Sequence, residues 1–149
     1  MNIENSILPF LGRTVKFLDF YVEEEFTRNG ITLSKMQFVF LMIISRNNGQ
    51  PQNNLAFLTG RDKTTFTRNI GTLEKKGWVE RKPSDQDKRI KLVCITELGR
   101  SILQEAAPII ECIIDEVEEG ITEKERASFL HTLTKIRTKL ISLREDKSK

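Results

Sequence analysis

DKTTFTRNIGTLEKKGWVERKPSDQDKRIKLVCITELG, residues Asp62 to Gly99, changes its hydrophobic period twice. Over 63–76 the apolar residues Phe66, Ile70 and Leu73 recur at steps of four and three, which places them on one face of a helix. Thr64, Arg68 and Lys75 fall on the opposite face. Asp62 stands where it can cap this helix by accepting from backbone N–H groups. Gly77 ends it. Residues 78–82 then read as a strand, Pro83-Ser84-Asp85 as a turn, and 89–95 as the returning strand. Beyond Thr96 the pattern is helical again.

Charge is concentrated in the same window. Residues 61–91 hold ten Lys/Arg against five Asp/Glu, whereas the rest of the chain holds fourteen against sixteen. A net charge of only +3 therefore hides a local basic surplus, the footprint of a phosphate-binding surface.

Upstream, a short helix over 52–59 carries Leu55, Ala56 and Leu58 and is broken at Gly60. Together with the helix that Asp62 opens, it makes a helix-turn-helix. Asn47-Asn48-Gly49-Gln50-Pro51 is a turn. Ser34-Lys35-Met36-Gln37 is a capping-box pattern. The helix it opens is apolar nearly all round, with Met36, Val39, Phe40, Ile43 and Ile44 on one face, so it is expected to be central. Residues 4–30 read as a long first helix with Ile7, Leu11, Thr14, Leu18 and Tyr21 in a stripe widened by Phe10, Phe17 and Phe26. Asn29-Gly30 closes it.

Downstream, Leu98, Ile102, Ala106, Ile109, Ile113 and Val117 run along one side of a helix that ends at Gly120, with a kink expected at Pro108. Thr122 to Glu125 is a second capping box, after which Phe129, Leu133, Ile136, Leu140 and Leu143 alternate steps of four and three. The last residues, 145–149, are expected to fray.

The fold class is therefore mainly α with a small β-hairpin wing: a winged helix-turn-helix flanked by apolar helices. Those flanking helices carry more apolar surface than one small winged part can cover. The expectation is a single domain, 1–149, whose DNA-binding part spans 32–96. Helices over 3–29 and 97–145 would then bury each other across a two-fold axis as a homodimer. The alternative is a monomeric bundle.

Composition narrows the function. Hydrophobic residues at 38% and charged residues at 30% suit a globular chain. The longest apolar run, 38–44, is too short to span a bilayer, and the N-terminus lacks a secretory pattern, so the cytoplasm is expected. Cys94 and Cys112 have no metal-ligand spacing. With His131 the only histidine, neither a zinc site nor acid–base catalysis is expected. No enzyme, cofactor or metal is implied. Both thiols read as ordinary packing or surface residues.

Leu73-Glu74-Lys75-Lys76-Gly77-Trp78-Val79-Glu80-Arg81 resembles the end of the helix-turn-helix in the MarR (multiple antibiotic resistance regulator) family. Asp87, Arg89, Thr96 and Gly99 match the family's wing pattern of Asp-x-Arg, six residues, Thr, two residues, Gly. The resemblance covers nearly the whole chain, including a proline in the helix after the wing. Arg61 departs from it at a position usually apolar.

The resemblance implies a transcription regulator, typically a repressor. A helix fits the major groove with its N-terminal residues nearest the bases, which makes Lys63, Thr64, Thr65, Thr67 and Arg68 the candidate reading surface. Arg68 is the candidate for a bidentate contact to guanine. A stiff hairpin would hold Lys88 and Arg89 where they reach an adjacent minor groove. Asp87 is expected to orient Arg89 or a neighbouring cation, or to serve as the aspartate of a tight turn. Arg81 and Lys82, at the wing base, are candidate phosphate contacts. The family also implies small aromatic or amphipathic effectors held in a cleft. Phe17, Tyr21, Phe38 and Met42 could line one, although core packing is their plainer reading. The competing function is a winged-helix module that binds proteins rather than DNA.

Overall fold

The structure, a computed structural model, describes residues 6–60 and 62–146, the side chain of Glu145 excepted. Arg61, the start of the first helix expected from residue 4, and the terminal residues from 147 lie outside the described part. The elements are α1 (Ile7–Arg28), α2 (Lys35–Arg46), β1 (Gln50–Pro51), α3 (Gln52–Leu58), α4 (Lys63–Lys75), β2 (Val79–Pro83), β3 (Lys91–Ile95), α5 (Glu97–Glu118) and α6 (Glu123–Asp146). The chain divides into a unit ending at Ile113 and a second running from Ile114.

Local chemistry sets the helix starts. The Ser34 hydroxyl accepts from the Gln37 N–H at 3.2 Å while the Gln37 side chain accepts from the Ser34 N–H at 2.9 Å, a complete capping box. Asp62 accepts from the Thr65 N–H at 2.9 Å to open α4. In the second unit, Thr122 and Glu125 form the same reciprocal pair at the start of α6. Gly77 ends α4 at a φ of +72°, a left-handed conformation that costs glycine nothing, and the Trp78 N–H then reaches back to the Leu73 carbonyl at 3.0 Å.

The first unit closes around Phe26, Leu41, Ile44, Leu55, Phe66, Ile70, Leu73, Val79 and Val93, all essentially inaccessible to water. Phe40 and Phe66 stack at 5.4 Å, and Phe26 meets Phe38 edge-on at 6.0 Å. Such pairs contribute about 0.5–1.5 kcal/mol beyond the area they bury. On α2 the buried residues are Phe38, Phe40, Leu41 and Ile44, while Met36 stays exposed. With Val39, Met42 and Ile43 packed partly against the core as well, the helix is packed on several sides, as expected of a helix apolar nearly all round. Leu58 on α3 and Leu98 on α5 are also exposed rather than part of the core.

The wing is a three-stranded antiparallel sheet in the order β1-β3-β2. β1, read from sequence as a turn, pairs Gln50 with Val93 and Pro51 with Leu92. Pro51 can sit there because β1 is an edge strand. Asn48 extends the ladder, its side-chain oxygen accepting from the Ile95 N–H at 2.9 Å. β2 and β3 pair Val79 with Ile95 and Arg81 with Val93, and the strands start one to two residues later than the sequence suggests.

α5 docks through two wing-pattern residues. The Thr96 hydroxyl donates to the Gly77 carbonyl at 2.6 Å and accepts from the Gly99 N–H at 3.0 Å. A Cβ at residue 99 would stand 2.0 Å from the Trp78 carbonyl oxygen, so only glycine fits. Ala106 and Ile113 complete the packing, and Pro108 lies inside the helix. α1 buries only Val22 and Phe26, leaving Phe10, Phe17 and Phe20 about two-thirds or more exposed. In α6 none of the described side chains is buried. Among the described residues, no helix is long and apolar enough to cross a membrane.

Candidate nucleic-acid interface

α4 is held by its apolar face, so its other side is turned to solvent. Phe66, Ile70 and Leu73 are buried; Lys63, Thr64, Thr67, Arg68 and Lys75 are exposed. Thr65 is half-buried against the cap. Hydrogen bonds from the Thr65 backbone and then its side chain hold the Asp62 carboxyl below the ordinary aspartate value. The cap therefore stays ionised near neutrality, at the positive end of the helix. The side chains of Lys63 and Arg68 enter no ion pair among the described residues.

The wing tip is built by backbone hydrogen bonds. The Ser84 N–H donates to the Ile90 carbonyl at 3.0 Å, and the Ile90 N–H to the Asp87 carbonyl at 2.9 Å. Asp87 Oδ1 accepts from the Arg89 N–H at 2.9 Å. Of the two roles open to Asp87, this is the tight-turn one. Lys88 and Arg89 are exposed, and their side chains enter no ion pair among the described residues.

Several cations in the basic window are engaged internally. Lys82 pairs with Glu80 at 2.7 Å, and that partner's hydrogen bond and charge raise the lysine pKa. Lys76 lies 4.3 Å above the Trp78 ring. The Arg81 guanidinium binds Glu74, Gln52 and the Thr67 carbonyl. The Thr67 hydroxyl donates to the Lys63 carbonyl and accepts from Gln52, both at 2.8 Å. Gln52 was not singled out from the sequence, and Glu74 figured there only as part of the run from Leu73 to Arg81, with no role of its own. The one available signal was the strand period, which places Arg81 with Val79 on the inward face.

Of the four aromatic and soft residues weighed for an effector cleft, three take the plainer role of core packing. Phe38 is buried, Tyr21 and Met42 pack partly against the core, and Phe17 is exposed. A shallow pocket on α1 and α2 is lined instead by Val15, Asp19, Glu23, Lys35, Met36 and Val39, with Phe40 and Thr59. It carries charge: Lys35 pairs with Asp19 and its N–H donates to Glu23 at 3.0 Å.

A capped helix exposing polar and basic residues, a basic hairpin beside it and an antiparallel sheet define a winged helix-turn-helix protein, a class of DNA-binding transcription regulators. The MarR family model matches residues 33–91. The HTH-type transcriptional regulator YybA of Bacillus subtilis (strain 168) is 29% identical, over 89% of this chain and 87% of the relative. The transcriptional repressor MprA of Escherichia coli (strain K12) is 25% identical, over 78% of this chain and 66% of MprA. The crystal structure of a MarR family transcriptional regulator from Listeria monocytogenes complexed with 26mer DNA superposes with a TM-score of 0.79. It is 29% identical, with 91% of this chain and 89% of that one covered. Over residues 33–91 the chain is thus similar to the MarR family, and the relatives it resembles are transcriptional regulators.

Proposed function

We propose that the protein is a homodimeric repressor that acts in the cytoplasm and binds a pseudo-palindromic operator. The exposed N-terminal half of α4 enters the major groove, with Arg68 reading guanine through its two-pronged guanidinium. Lys63, Thr64 and Thr65 contact phosphates or base edges, and the Thr67 methyl group can meet a thymine methyl. Lys88 and Arg89 reach the adjacent minor groove, and Asp87 fixes the turn that presents them. The observation that carries this reading is that Lys63 and Arg68 on α4, and Lys88 and Arg89 on a hydrogen-bonded wing tip, are exposed and enter no ion pair among the described residues. The DNA complex of the Listeria relative and the repressor role of MprA support it.

Dimerisation is supported by the uncovered apolar stripes of α1 and α6. Two-fold symmetry then places half-sites about one helical turn, roughly 10 base pairs, apart. A small amphipathic or aromatic effector that altered the spacing of the two reading helices would release the DNA without touching a base contact. The pocket on α1 and α2 is where such a molecule would bind.

Selection of bound sequences from a random DNA pool tests the reading. The expected outcome is a pseudo-palindrome with that spacing, bound more weakly by Arg68→Ala and Arg89→Ala. A pool without enrichment, or binding indifferent to both substitutions, would point instead to a protein-binding module.

A further inference from the structure

Arg81 belongs to the basic window, yet it sits on the wrong face of its strand for the solvent. Side chains alternate along β2, so Arg81 shares a face with Val79, and its cross-strand partner is the buried Val93. Only 24% of its side chain is exposed. The guanidinium meets acceptors from two helices: Glu74 at 2.5 Å and the Thr67 carbonyl at 3.3 Å on α4, and the Gln52 side-chain oxygen at 3.1 Å on α3. Gln52 closes the circuit by donating to the Thr67 hydroxyl at 2.8 Å. A planar fork of fixed donors is suited to holding several acceptors in one geometry, and a lysine cannot reproduce it.

We infer that Arg81 is a positioning residue for DNA reading: it clasps the wing base to α3 and α4, so that Arg68 and Arg89 are held at one spacing, and it does not neutralise a phosphate. The inference rests on the proposed DNA-binding function. Without the clasp, the wing would have to be ordered when DNA binds, and that cost comes off the affinity while the contacts in the complex stay the same. Glu74 then serves binding although its charge opposes that of DNA. Held by Arg81, the carboxylate is compensated; its removal loosens the wing.

The experiment measures operator affinity of the full chain across a salt series for wild type, Arg81→Ala, Arg81→Lys, Glu74→Ala and the Arg81→Ala/Glu74→Ala pair, with a melting curve for each. A positioning role predicts that both alanine variants bind about tenfold more weakly. The slope of log affinity against log salt should not change, and the pair should be no worse than either single variant. Arg81→Lys should fall with Arg81→Ala. A phosphate contact predicts otherwise: Arg81→Ala flattens the slope by about 0.9 per subunit, and Arg81→Lys keeps most of the affinity. Glu74→Ala would then bind more tightly, because an acid near the DNA has gone. Any of those three results overturns the inference. If Arg81→Ala unfolds, the sign of the Glu74→Ala effect decides, since Glu74 lies on a helix surface. Wild-type protein that bound no duplex at all would overturn the proposed function and this inference with it. Wild-type binding with a flattened Arg81→Ala slope would overturn this inference alone.

Discussion

The winged part and α6 carry apolar residues at similar helical or strand spacing, and they use them in opposite ways. Between Ser34 and Gly99 most of the periodic residues point inward: Phe40, Leu41, Ile44, Leu55, Phe66, Ile70, Leu73, Val79 and Val93 are all buried, with Met36, Leu58 and Leu98 left exposed. In α6, Phe129, Leu140 and Leu143 remain about half exposed, and no described side chain is buried. α1 lies between these cases, with two buried residues and a row of exposed phenylalanines. Contiguous apolar stripes of this kind are uncommon on a monomer and mark contact surfaces. The winged part is thus complete in itself, whereas the terminal helices are finished only by something that covers them. On the proposed function, that cover is a second copy of the chain.

The largest expected effect breaks the terminal side of this contrast. Phe129→Glu combined with Leu140→Glu places two charges on each α6 stripe, four in a symmetric pair. Losing about 1.5 kcal/mol or more for each apolar side chain removes roughly 6 kcal/mol from the dimer. Sedimentation analysis should show a monomer, with operator binding lost. Wild-type protein that sedimented as a monomer would remove the contrast altogether. The winged side breaks next, at Gly99. Its added Cβ would meet the Trp78 carbonyl at 2.0 Å and an Ile95 side-chain carbon at 2.9 Å. Backbone cannot yield as a flexible side chain does, so Gly99→Ala should cost about 3 kcal/mol in thermal unfolding. Unchanged melting would show that α5 docks less rigidly than the hydrogen bonds of Thr96 imply.

A smaller effect separates the surface of the winged part from its interior. Arg68→Ala should weaken operator binding by about 1–3 kcal/mol and blur preference at one base pair, while leaving the melting temperature nearly unchanged. Loss of stability equal to loss of affinity would mean that Arg68 is structural.

Much of the contrast was legible in the sequence because its causes are local. Ser34, Asp62 and Thr122 each act on a backbone group three residues away, so their caps were visible in four letters. The buried face of α4 was set by its period. What escaped depends on distant partners. β1 is two residues long and has no alternation to detect; it exists because the Gly49 N–H and the Gln50 and Pro51 backbone meet β3 more than forty residues on. The inward turn of Arg81 was implicit in the alternation of β2, but its partner Gln52 lies 29 residues away in sequence. A count of basic residues treats Lys76, Arg81 and Lys82 like Arg68 and Arg89. Only the fold separates cations spent on Trp78, Glu74 and Glu80 from those left for a ligand.

The smallest effect sharpens the comparison inside α4 itself. Gly71 lies in mid-helix on the outward stripe with Thr64, Arg68 and Lys75, and a Cβ built there meets no atom within 4 Å. Nothing in the protein requires glycine at this position, and alanine is favoured in a helix by about 1 kcal/mol. Gly71→Ala should therefore raise the melting temperature. If the stripe meets DNA, the same methyl group stands between Arg68 and Lys75, where helix backbone approaches phosphate, and operator affinity should fall as stability rises. Opposite changes in the two measurements would identify Gly71 as a place where stability gives way to a binding surface. Affinity that rose or held steady would detach this stripe from the DNA and shift the contact toward the Thr67 edge of the helix.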